Sequence, residues 1–404
     1  MTRPVVVVGA GQAGLALVAR LRAVGHAGPL TLNGAEPHPP YERPPLTKTF
    51  LLGGLPRERL FLRPESFYSD QGIDLRLGIA VAAIDTRRQV VVMATGAELP
   101  YGELALATGA TPRRLPAAIG GDLAGVFTMR DIGDADALAA ELVPGHRALV
   151  VGGGYIGLEA AAVASERGLD VTVIELAPRI LQRVAAPETA DFFRTLHRRH
   201  GVGIREATGL DRLEAEGGRV AAARLSTGER IAVDLVVVGV GIEPDVRLAR
   251  SAGIAVENGI RTDASGRTSA PNVWAAGDCA SLPHAGGRIR LESVSNAIDQ
   301  AEAVARNMMG ADEPYRPAPW FWSDQFDAKL QIAGLGTGHD RIVVRPEGDG
   351  VSHWYYRGGC LIAVDAINAS RAYLVGKRLI EAGMSPDPSV IALPATQLKA
   401  LLLT

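Results

Sequence analysis

The chain has 404 residues, which at roughly 150 residues per domain predicts two to three domains, each with its own core. Lysine and arginine number 42 against 44 aspartates and glutamates, giving a formal charge of −2 at pH 7. This balance disfavours nucleic acid or an anionic membrane surface as a partner. No apolar run approaches the roughly 20 residues of a membrane span, and the N-terminal residues lack a signal-peptide pattern, so we expect a cytoplasmic protein.

A glycine-rich turn follows the first apolar segment. Four valines at residues 5–8 lead into Gly9, Gly11 and Gly14, in the spacing G-x-G-x-x-G, and apolar residues then recur at helical spacing. This pattern predicts a strand, a tight turn and a helix. In such a unit the first glycine lets the strand turn, the second lets a pyrophosphate approach, and the third lets helix and strand pack closely.

A second copy of the same pattern begins near residue 148. The apolar residues 148–151 lead into Gly152, Gly154 and Gly157, which an alanine-rich stretch follows. Each copy also continues with a second predicted strand that ends near an acid, and later with a hairpin. Two matched copies predict two Rossmann-like domains, and each helix N-terminus would face the phosphates of one dinucleotide.

The acids that end the two second strands are candidate ribose ligands. Glu36 ends the predicted strand 30–36, and Glu175 ends the predicted strand 171–175. A carboxylate there accepts hydrogen bonds from an adenosine ribose and repels a 2′-phosphate, which favours NADH over NADPH. An ordinary surface carboxylate is the alternative at both positions. Two dinucleotide folds suggest one permanently held carrier and one diffusible donor, which FAD and NADH would supply.

The last third of the chain changes character. Residues 268–278 predict a short strand that delivers Asp278 into a turn, and aromatic residues cluster from about Trp320. Strand-like and helical patterns follow, which predict a small C-terminal α+β domain. The predicted fold is therefore α/β, with two Rossmann-like domains and this third domain. The predicted boundaries are 1–110 with 243–320 for FAD, 111–242 for NADH, and 321–404 for the C-terminal domain.

Several motifs together resemble one family. They are PYERPPLTK at 40–48, ATG at 107–109, GYIGLE at 154–159, GVGIEP at 239–244, AGD at 276–278 and WSDQ at 322–325. Along its whole length the chain resembles the oxygenase-coupled NADH-dependent ferredoxin reductases, the group of putidaredoxin reductase and the biphenyl dioxygenase reductases. The glutathione reductase-like FAD/NAD fold is what this resemblance implies.

The resemblance assigns roles to several charged residues. Asp278 would hydrogen-bond the ribityl chain of FAD, and Arg43 and Lys48 would line the flavin. A cation near flavin N5 and O4 favours anionic reduced flavin and eases hydride acceptance. Glu159 would pair with Lys48 and limit its charge. The alternatives are an exposed proline-rich loop with ordinary charges and a glutamate on a helix surface.

Aromatic and small residues complete the expected site. Tyr155 would cover the flavin until nicotinamide displaces it, and Trp322 would lie near the isoalloxazine. Plain packing and an aromatic core cluster are the respective alternatives. From the resemblance, the residues expected beside the cofactors also include Thr108, Gly109, Gly241 and Val294.

Two kinds of chemistry are missing from the sequence. Related disulfide reductases carry cysteines after the first acid, but residues 39–52 contain none, and Cys279 and Cys360 are the two cysteines of the chain. A thiol relay is therefore excluded. The eight histidines show no metal-ligand spacing, so we predict no metal site.

With this resemblance, we expect an enzyme that takes electrons from NADH through FAD to a [2Fe–2S] ferredoxin, which serves a cytochrome P-450 or a ring-hydroxylating dioxygenase. The flavoproteins of rubredoxin- or nitrite-reductase type share nearly all of these motifs. A non-enzymatic NADH-sensing flavoprotein is the other alternative. The sequence does not choose the ferredoxin or the oxygenase.

Overall fold

The computed structural model describes residues 3–403, which divide into two compact units. The first unit takes residues 3–42, 57–111 and 242–319. The second takes residues 43–56, 112–241 and 320–403. Each unit contains one copy of the glycine fingerprint.

A five-stranded parallel sheet forms the centre of the first unit. Its strands in spatial order are Val273–Ala275, Glu103–Leu106, Val5–Val8, Leu30–Asn33 and Asp74–Arg76. All four residues of Val5–Val8 are buried, as expected for a parallel strand that is covered on both faces. The helices of this unit are Gln12–Ala23, Glu65–Asp70, Arg247–Ser251 and Val294–Met308.

Smaller strands complete the first unit. One antiparallel sheet contains Val81–Asp85, Val90–Met93 and Glu98–Pro100. Another sheet contains Ile260–Arg261, Ala280–His284 and Gly287–Ile289. The short strands Ala110–Pro112 and Ile242–Pro244 lie at two of the five points where the chain passes from one unit to the other.

The second unit repeats the plan of the first. Its parallel sheet has the order Gly203–Arg205, Asp170–Ile174, Arg147–Val151, Leu235–Val238 and Val126–Phe127. An antiparallel sheet contains Leu210–Glu216, Arg219–Leu225 and Arg230–Ala232. The helices of this part are Ile132–Ala139, Tyr155–Glu166 and Pro187–Arg199. In both units the fingerprint strand lies at the centre of its sheet.

The C-terminal residues add an antiparallel sheet to the second unit. Its strands in spatial order are Trp320–Gln325, Ala328–Gly334, Cys360–Ile367, Gly350–Arg357 and Arg341–Glu347. The helices Ser370–Glu381 and Pro388–Ala392 follow. Trp354, Val364 and Leu379 belong to the core that the sheet and these helices share.

The predicted fold class is confirmed: two Rossmann-like sheets and a C-terminal α+β region are present. One predicted element is longer than the observed one. The strand expected over residues 30–36 ends at Asn33, and Glu36 lies in the loop that follows. Pro37 comes directly after this acid and cannot donate to a ladder, which is consistent with the early end of the strand.

Across residues 3–403, no helix combines the length and the apolar character that crossing a membrane requires.

Candidate functional site

The first fingerprint lies in the first unit, and its three glycines have different surroundings. Gly9 has a φ of +115°, and an added Cβ would lie 2.1 Å from the Ala107 carbonyl oxygen. A Cβ on Gly14 would lie 1.9 Å from the Gly9 carbonyl oxygen. At Gly11 an added Cβ meets nothing within 4 Å among the described residues. Gly9 and Gly14 therefore permit close packing, whereas Gly11 leaves an open approach to the backbone.

The second fingerprint lies in the second unit and has the same division of roles. Gly152 has a φ of +108°, and an added Cβ would lie 2.5 Å from the Gly239 carbonyl oxygen. A Cβ on Gly157 would lie 2.1 Å from the Gly152 carbonyl oxygen. Gly154 is open, because a Cβ there meets no described atom within 4 Å. The second glycine of each fingerprint is thus the position with free space.

The helices that follow these loops begin without a side-chain cap. Gly11 caps Gln12–Ala23 and Gly154 caps Tyr155–Glu166, and neither helix has an acid in its first turn. The helix Val294–Met308 differs, because Ser293 accepts a hydrogen bond from the Asn296 N–H. Uncapped N–H groups beside an open glycine fit the pyrophosphate of a dinucleotide, so both loops fit the expected cofactors.

Glu175 lies directly after the strand Asp170–Ile174, at the second fingerprint. One carboxylate oxygen accepts a hydrogen bond from the Gly153 N–H at 2.7 Å, and the other accepts from the Ala177 N–H at 2.7 Å. These two bonds hold the acid against the glycine loop. A negative charge is therefore fixed at the position where a ribose 2′ substituent is expected.

Glu36 is half-buried in the loop after the second strand of the first unit. Its carboxylate accepts a hydrogen bond from the buried Tyr41 hydroxyl. The backbone carbonyl of Glu36 also accepts from the Gly78 N–H at 2.9 Å. The acid is thus oriented, although it lies beyond the end of the strand.

Two other motifs of the first unit, ATG at 107–109 and AGD at 276–278, lie against its fingerprint. Ala107 contacts Gly9, and a Cβ on Gly277 would lie 2.9 Å from the Cβ of Ala13 in that helix. Gly277 has a φ of +81° and presents the half-buried Asp278. The turn containing Asp278 therefore lies at the start of the helix that Gly11 caps.

Hydrogen bonds within the first unit also hold the turn at Thr108 and Gly109. The Thr108 hydroxyl donates to the Asp245 carbonyl oxygen at 2.6 Å, and the Gly109 carbonyl accepts from the Asp245 N–H at 2.9 Å. Gly109 has a φ of +69°, which glycine adopts without strain. Val294 is the first residue of the helix Val294–Met308.

Arg43 and Gly241 belong to the second unit. The Arg43 guanidinium donates to the Arg130 carbonyl oxygen at 2.6 Å. Gly241 has a φ of +103°, and its carbonyl accepts from the Arg113 N–H at 2.9 Å. Both residues hold the backbone in place at these positions.

The predicted ion pair between Lys48 and Glu159 is present in the second unit. The Lys48 ammonium lies 3.2 Å from one Glu159 carboxylate oxygen, and 3.7 Å from the carboxylate of Asp324. Lys48 follows the short 3₁₀ helix Pro44–Thr47, and Glu159 is buried in the helix Tyr155–Glu166. One ammonium is therefore placed between two carboxylates.

Two hydroxyl groups that sequence reasoning missed hold the Glu159 carboxylate. The Thr47 hydroxyl donates to one carboxylate oxygen at 2.6 Å, and the Ser323 hydroxyl donates to the other at 2.6 Å. Burial raises the pKa of Glu159, while Lys48 and these two hydroxyl groups oppose that rise. Thr47 stands in the PYERPPLTK motif and Ser323 in the WSDQ motif, but neither motif indicates that its hydroxyl group bonds to Glu159.

Tyr155 and Trp322 lie close to this ion pair. The Tyr155 ring packs at 4.9 Å from the Phe321 ring, and the Lys48 ammonium lies 5.8 Å from the centre of the Trp322 ring. The Tyr155 hydroxyl is buried without a hydrogen-bond partner among the described residues, and burial raises its pKa. The structure thus brings Lys48, Tyr155, Glu159 and Trp322 together within one unit.

The two cysteines are unpaired. Cys279 is fully buried, and its thiol has a pKa that burial raises. Cys360 is exposed on a strand of the C-terminal sheet. A search of residues 3–403 for three or more histidine, cysteine, aspartate or glutamate side chains able to hold a metal ion finds none.

Two open glycine loops, together with a lysine paired to a buried glutamate, are what an oxidoreductase that binds two dinucleotides requires. The family comparison agrees with this class. Residues 3–301 match the pyridine nucleotide-disulphide oxidoreductase family, and residues 320–402 match the reductase C-terminal family. The chain belongs to the pyridine nucleotide-disulphide oxidoreductase family, and its cofactors are FAD and NADH.

Individual relatives span nearly the whole chain. A ferredoxin–NAD(P)(+) reductase of Sphingomonas sp is 44% identical over 392 residues, covering 96% of this chain and 94% of that protein. The ferredoxin–NAD(+) reductase component of an anthranilate 1,2-dioxygenase system of Burkholderia cepacia is 40% identical, with 99% of each chain covered. The crystal structure of a covalent putidaredoxin reductase–putidaredoxin complex matches with a TM-score of 0.95 and 37% identity, covering 99% of this chain and 98% of that one.

Proposed function

We propose that this protein passes electrons from NADH through FAD to a [2Fe–2S] ferredoxin that serves an oxygenase, either a cytochrome P-450 or a ring-hydroxylating dioxygenase. The observation that carries the proposal is the Lys48–Glu159 pair, in which a partly exposed lysine meets a buried carboxylate in the same unit as the second open fingerprint. One relative named as a ferredoxin–NAD(P)(+) reductase and another named as the ferredoxin–NAD(+) reductase component of a dioxygenase system support the acceptor. The three predicted domains and the cytoplasmic location remain part of this proposal.

Bound FAD supplies a ring that accepts a hydride from NADH and passes electrons on one at a time. Gly9, Gly11 and Gly14 would hold its pyrophosphate at the first fingerprint, with Glu36 on the adenosine ribose. Asp278 would bind the ribityl chain. The turn at Thr108 and Gly109, together with Val294, would line the same cofactor.

The second fingerprint would receive NADH. Gly152, Gly154 and Gly157 would hold its pyrophosphate, and Glu175 would accept hydrogen bonds from its ribose hydroxyls. Since Glu175 already accepts two backbone hydrogen bonds, its charge is held in place before the nucleotide arrives. Gly241 would border this site.

Lys48 and Glu159 would control flavin reduction. The Lys48 ammonium would stabilise the negative charge that develops on the flavin, and Glu159 would orient Lys48 and limit its charge. Tyr155 would cover the flavin until the nicotinamide displaces its ring, and Trp322 would border the flavin. Arg43 would also line the flavin.

A carrier panel tests this function. Purified holoprotein is mixed with NADH and, in separate reactions, with several [2Fe–2S] ferredoxins and with a rubredoxin. We expect kcat/KM to be largest for a ferredoxin. A larger kcat/KM for rubredoxin would contradict the proposed acceptor and favour a rubredoxin reductase.

A further inference from the structure

A line of buried polar side chains extends from the Glu159 carboxylate through the interior of the second unit. Ser323 Oγ lies 2.6 Å from Glu159 Oε1, and Gln325 Nε2 lies 3.1 Å from Ser323 Oγ. His197 Nε2 lies 2.8 Å from Gln325 Oε1. Ser323, Gln325 and His197 are at most 1% exposed. Four polar side chains are thus joined by three hydrogen bonds inside the protein.

The direction of these bonds follows from the number of donors. Ser323 has one hydroxyl proton, which donates to the Glu159 carboxylate. Ser323 Oγ must therefore accept from Gln325, which turns the amide Nε2 toward Ser323 and the amide Oε1 toward His197. Since that Oε1 is an acceptor, His197 Nε2 carries a proton and donates it. Each bond of the line donates toward Glu159.

His197 ends this line as a neutral side chain. Burial lowers the pKa of His197 to about 4, and its Nδ1 has no hydrogen-bond partner among the described residues. Its ring packs edge-on against Phe326 at 5.1 Å. A neutral histidine with its proton on Nε2 satisfies Gln325 and introduces no second charge near Glu159.

The strand Trp320–Gln325 places these groups by its alternation. Ser323 and Gln325 are two residues apart and point inward, whereas Trp322 and Asp324 are half-buried. Apolar side chains at the inward positions would avoid the cost of removing polar groups from water. Paired polar side chains at both inward positions therefore indicate a role beyond packing.

We propose that Ser323, Gln325 and His197 are positioning residues that orient the Glu159 carboxylate and keep it ionised beside Lys48. The inference deepens the proposed function, on which it rests, because it explains how the charge of the Lys48–Glu159 pair is maintained. The other charged or titratable groups near the pair are Asp324, 3.7 Å from Lys48, and Tyr155, on the helix of Glu159. Neither donates to the Glu159 carboxylate in the described hydrogen bonds.

The first test measures the pH dependence of flavin reduction by NADH in the holoprotein. Ser323→Ala removes the donor to Oε1, so the apparent pKa assigned to Glu159 should rise and the pH profile should shift to higher pH. Ser323→Thr keeps a hydroxyl and should restore most of the original profile. Ser352→Ala is the matched control, because Ser352 is also fully buried in the second unit but bonds to Trp354 and Glu347.

The second test reads the tautomer of His197 directly, by ¹⁵N NMR of histidine-labelled holoprotein. We expect the His197 signals of a neutral ring protonated at Nε2, unchanged between pH 8 and pH 6. Gln325→Met, which keeps the size but not the amide, should shift the Nε2 signal. The loss of a signal in His197→Asn identifies the residue.

The outcomes separate this inference from the proposed function. If NADH reduces the wild-type flavin but Ser323→Ala shows the wild-type pH profile, the positioning role is wrong and the proposed function stands. If NADH does not reduce the flavin, the proposed function is wrong. The NMR result then decides whether the line of hydrogen bonds from His197 to Glu159 is present. A His197 ring protonated at Nδ1 alone would overturn this line of hydrogen bonds, because Nε2 could then not donate to Gln325. A doubly protonated ring at pH 6 would overturn the neutral state of His197 at its end.

Discussion

At the scale of single residues, the Lys48–Glu159 pair is the part of the protein most open to a sharp test. The side chain of Glu159 is only 6% exposed, and its charge is balanced by an ammonium at 3.2 Å. Removing one member leaves the other charge buried without its partner, which is costly in a protein interior. The effects of substituting Lys48 and of substituting Glu159 should therefore depend on each other.

Substitution of the lysine tests the proposed role. Lys48→Met should lower the rate of flavin reduction by NADH by roughly tenfold or more, because an unpaired Glu159 carboxylate opposes negative charge developing on the flavin. Glu159→Gln removes that carboxylate and should partly rescue Lys48→Met. Stopped-flow bleaching of the flavin absorbance in all four proteins of the cycle gives the coupling.

The FAD content is the internal control for this cycle, since neither residue belongs to a glycine fingerprint. It should remain at the wild-type level in all four proteins. Additive effects of the two substitutions, or a wild-type rate in Lys48→Met, would remove the pair from control of hydride transfer.

Glu175 is the second residue with a decisive variant. The wild-type protein should show a kcat/KM for NADH at least about tenfold above that for NADPH, because a fixed carboxylate repels a 2′-phosphate. Glu175→Gln keeps a hydrogen-bond acceptor but removes the charge, so the ratio of kcat/KM for NADH to kcat/KM for NADPH should fall. A wild-type preference for NADPH would defeat the assignment.

Asp278 is predicted to bind the ribityl chain of FAD. Asp278→Ala should weaken FAD retention by about tenfold or more, since hydrogen bonds to a charged group are worth about 1.5–3 kcal/mol. Asp263→Ala is the matched control, because Asp263 also lies at a turn of the first unit, but in the described bonds its carboxylate accepts only from the Ser265 and Arg267 N–H groups. Equal FAD affinity in the two variants would place Asp278 outside the site.

The sequence allowed prediction of the charged residues at this scale but not of the hydroxyl groups. Lys48 and Glu159 stand in distinctive motifs, and the ion pair between them is present. Thr47 and Ser323 lie 112 and 164 positions from Glu159, and serine and threonine are common on any surface. Only the folded chain shows that both hydroxyl groups donate to one carboxylate.

At the scale of elements, the open glycines allow the two fingerprints to be tested separately. An alanine at Gly11 or Gly154 meets no described atom, and both residues have extended backbone angles that alanine also adopts. Gly11→Ala should therefore fold normally but reduce FAD content, because its Cβ occupies the space for a pyrophosphate. Gly154→Ala should keep FAD and raise the KM for NADH.

The packed glycines are the controls for this comparison. Gly14→Ala and Gly157→Ala place a Cβ about 2 Å from a carbonyl oxygen, so both should lower the free energy of unfolding by more than about 2 kcal/mol. Thermal unfolding followed by circular dichroism measures that loss. Normal cofactor binding in both open-glycine variants would show that neither loop holds a pyrophosphate.

The fingerprint strands were predictable because buried parallel strands are continuously apolar. The end of the strand Leu30–Asn33 was not predictable in the same way. The acid Glu36 indicates a longer strand, but the observed strand ends at Asn33, before the loop that leads to Pro37. The proposed ribose ligand of the first fingerprint therefore lies in a loop and not at a strand end.

At the scale of the whole molecule, buried histidines make stability depend on pH. Burial lowers the pKa of His353 to about 4, and Thr189 Oγ lies 2.7 Å from its Nδ1. In the unfolded chain a histidine titrates near about 6.5. Because the unfolded state binds the proton first, stability is intact above about pH 6.5 and is lost as the pH falls toward 4.

The difference between wild type and His353→Gln isolates this effect. Wild type should lose up to about 3 kcal/mol more than the variant between pH 6.5 and 4, as measured by denaturant unfolding. Asp365 has a pKa that burial raises to about 6, which acts in the opposite direction, but it is present in both proteins. A constant difference across this range would show that His353 is not held neutral.

The duplicated architecture was predictable at this scale because the same strand, turn and helix pattern occurs twice. The division into units was less accessible. Residues 43–56, which carry Lys48, pack with the second unit although they follow the first fingerprint in sequence. Such long-range packing depends on contacts that no local pattern encodes.

We conclude that this protein oxidises NADH and passes the electrons one at a time to a ferredoxin. Anaerobic stopped-flow mixing of the holoprotein with NADH, followed by a [2Fe–2S] ferredoxin, tests it most directly, with the flavin and ferredoxin absorbances followed together. We predict rapid flavin bleaching by NADH, then flavin recovery as two ferredoxins are reduced for each NADH consumed. A flavin that NADH bleaches but that every ferredoxin in the panel leaves reduced would contradict the account.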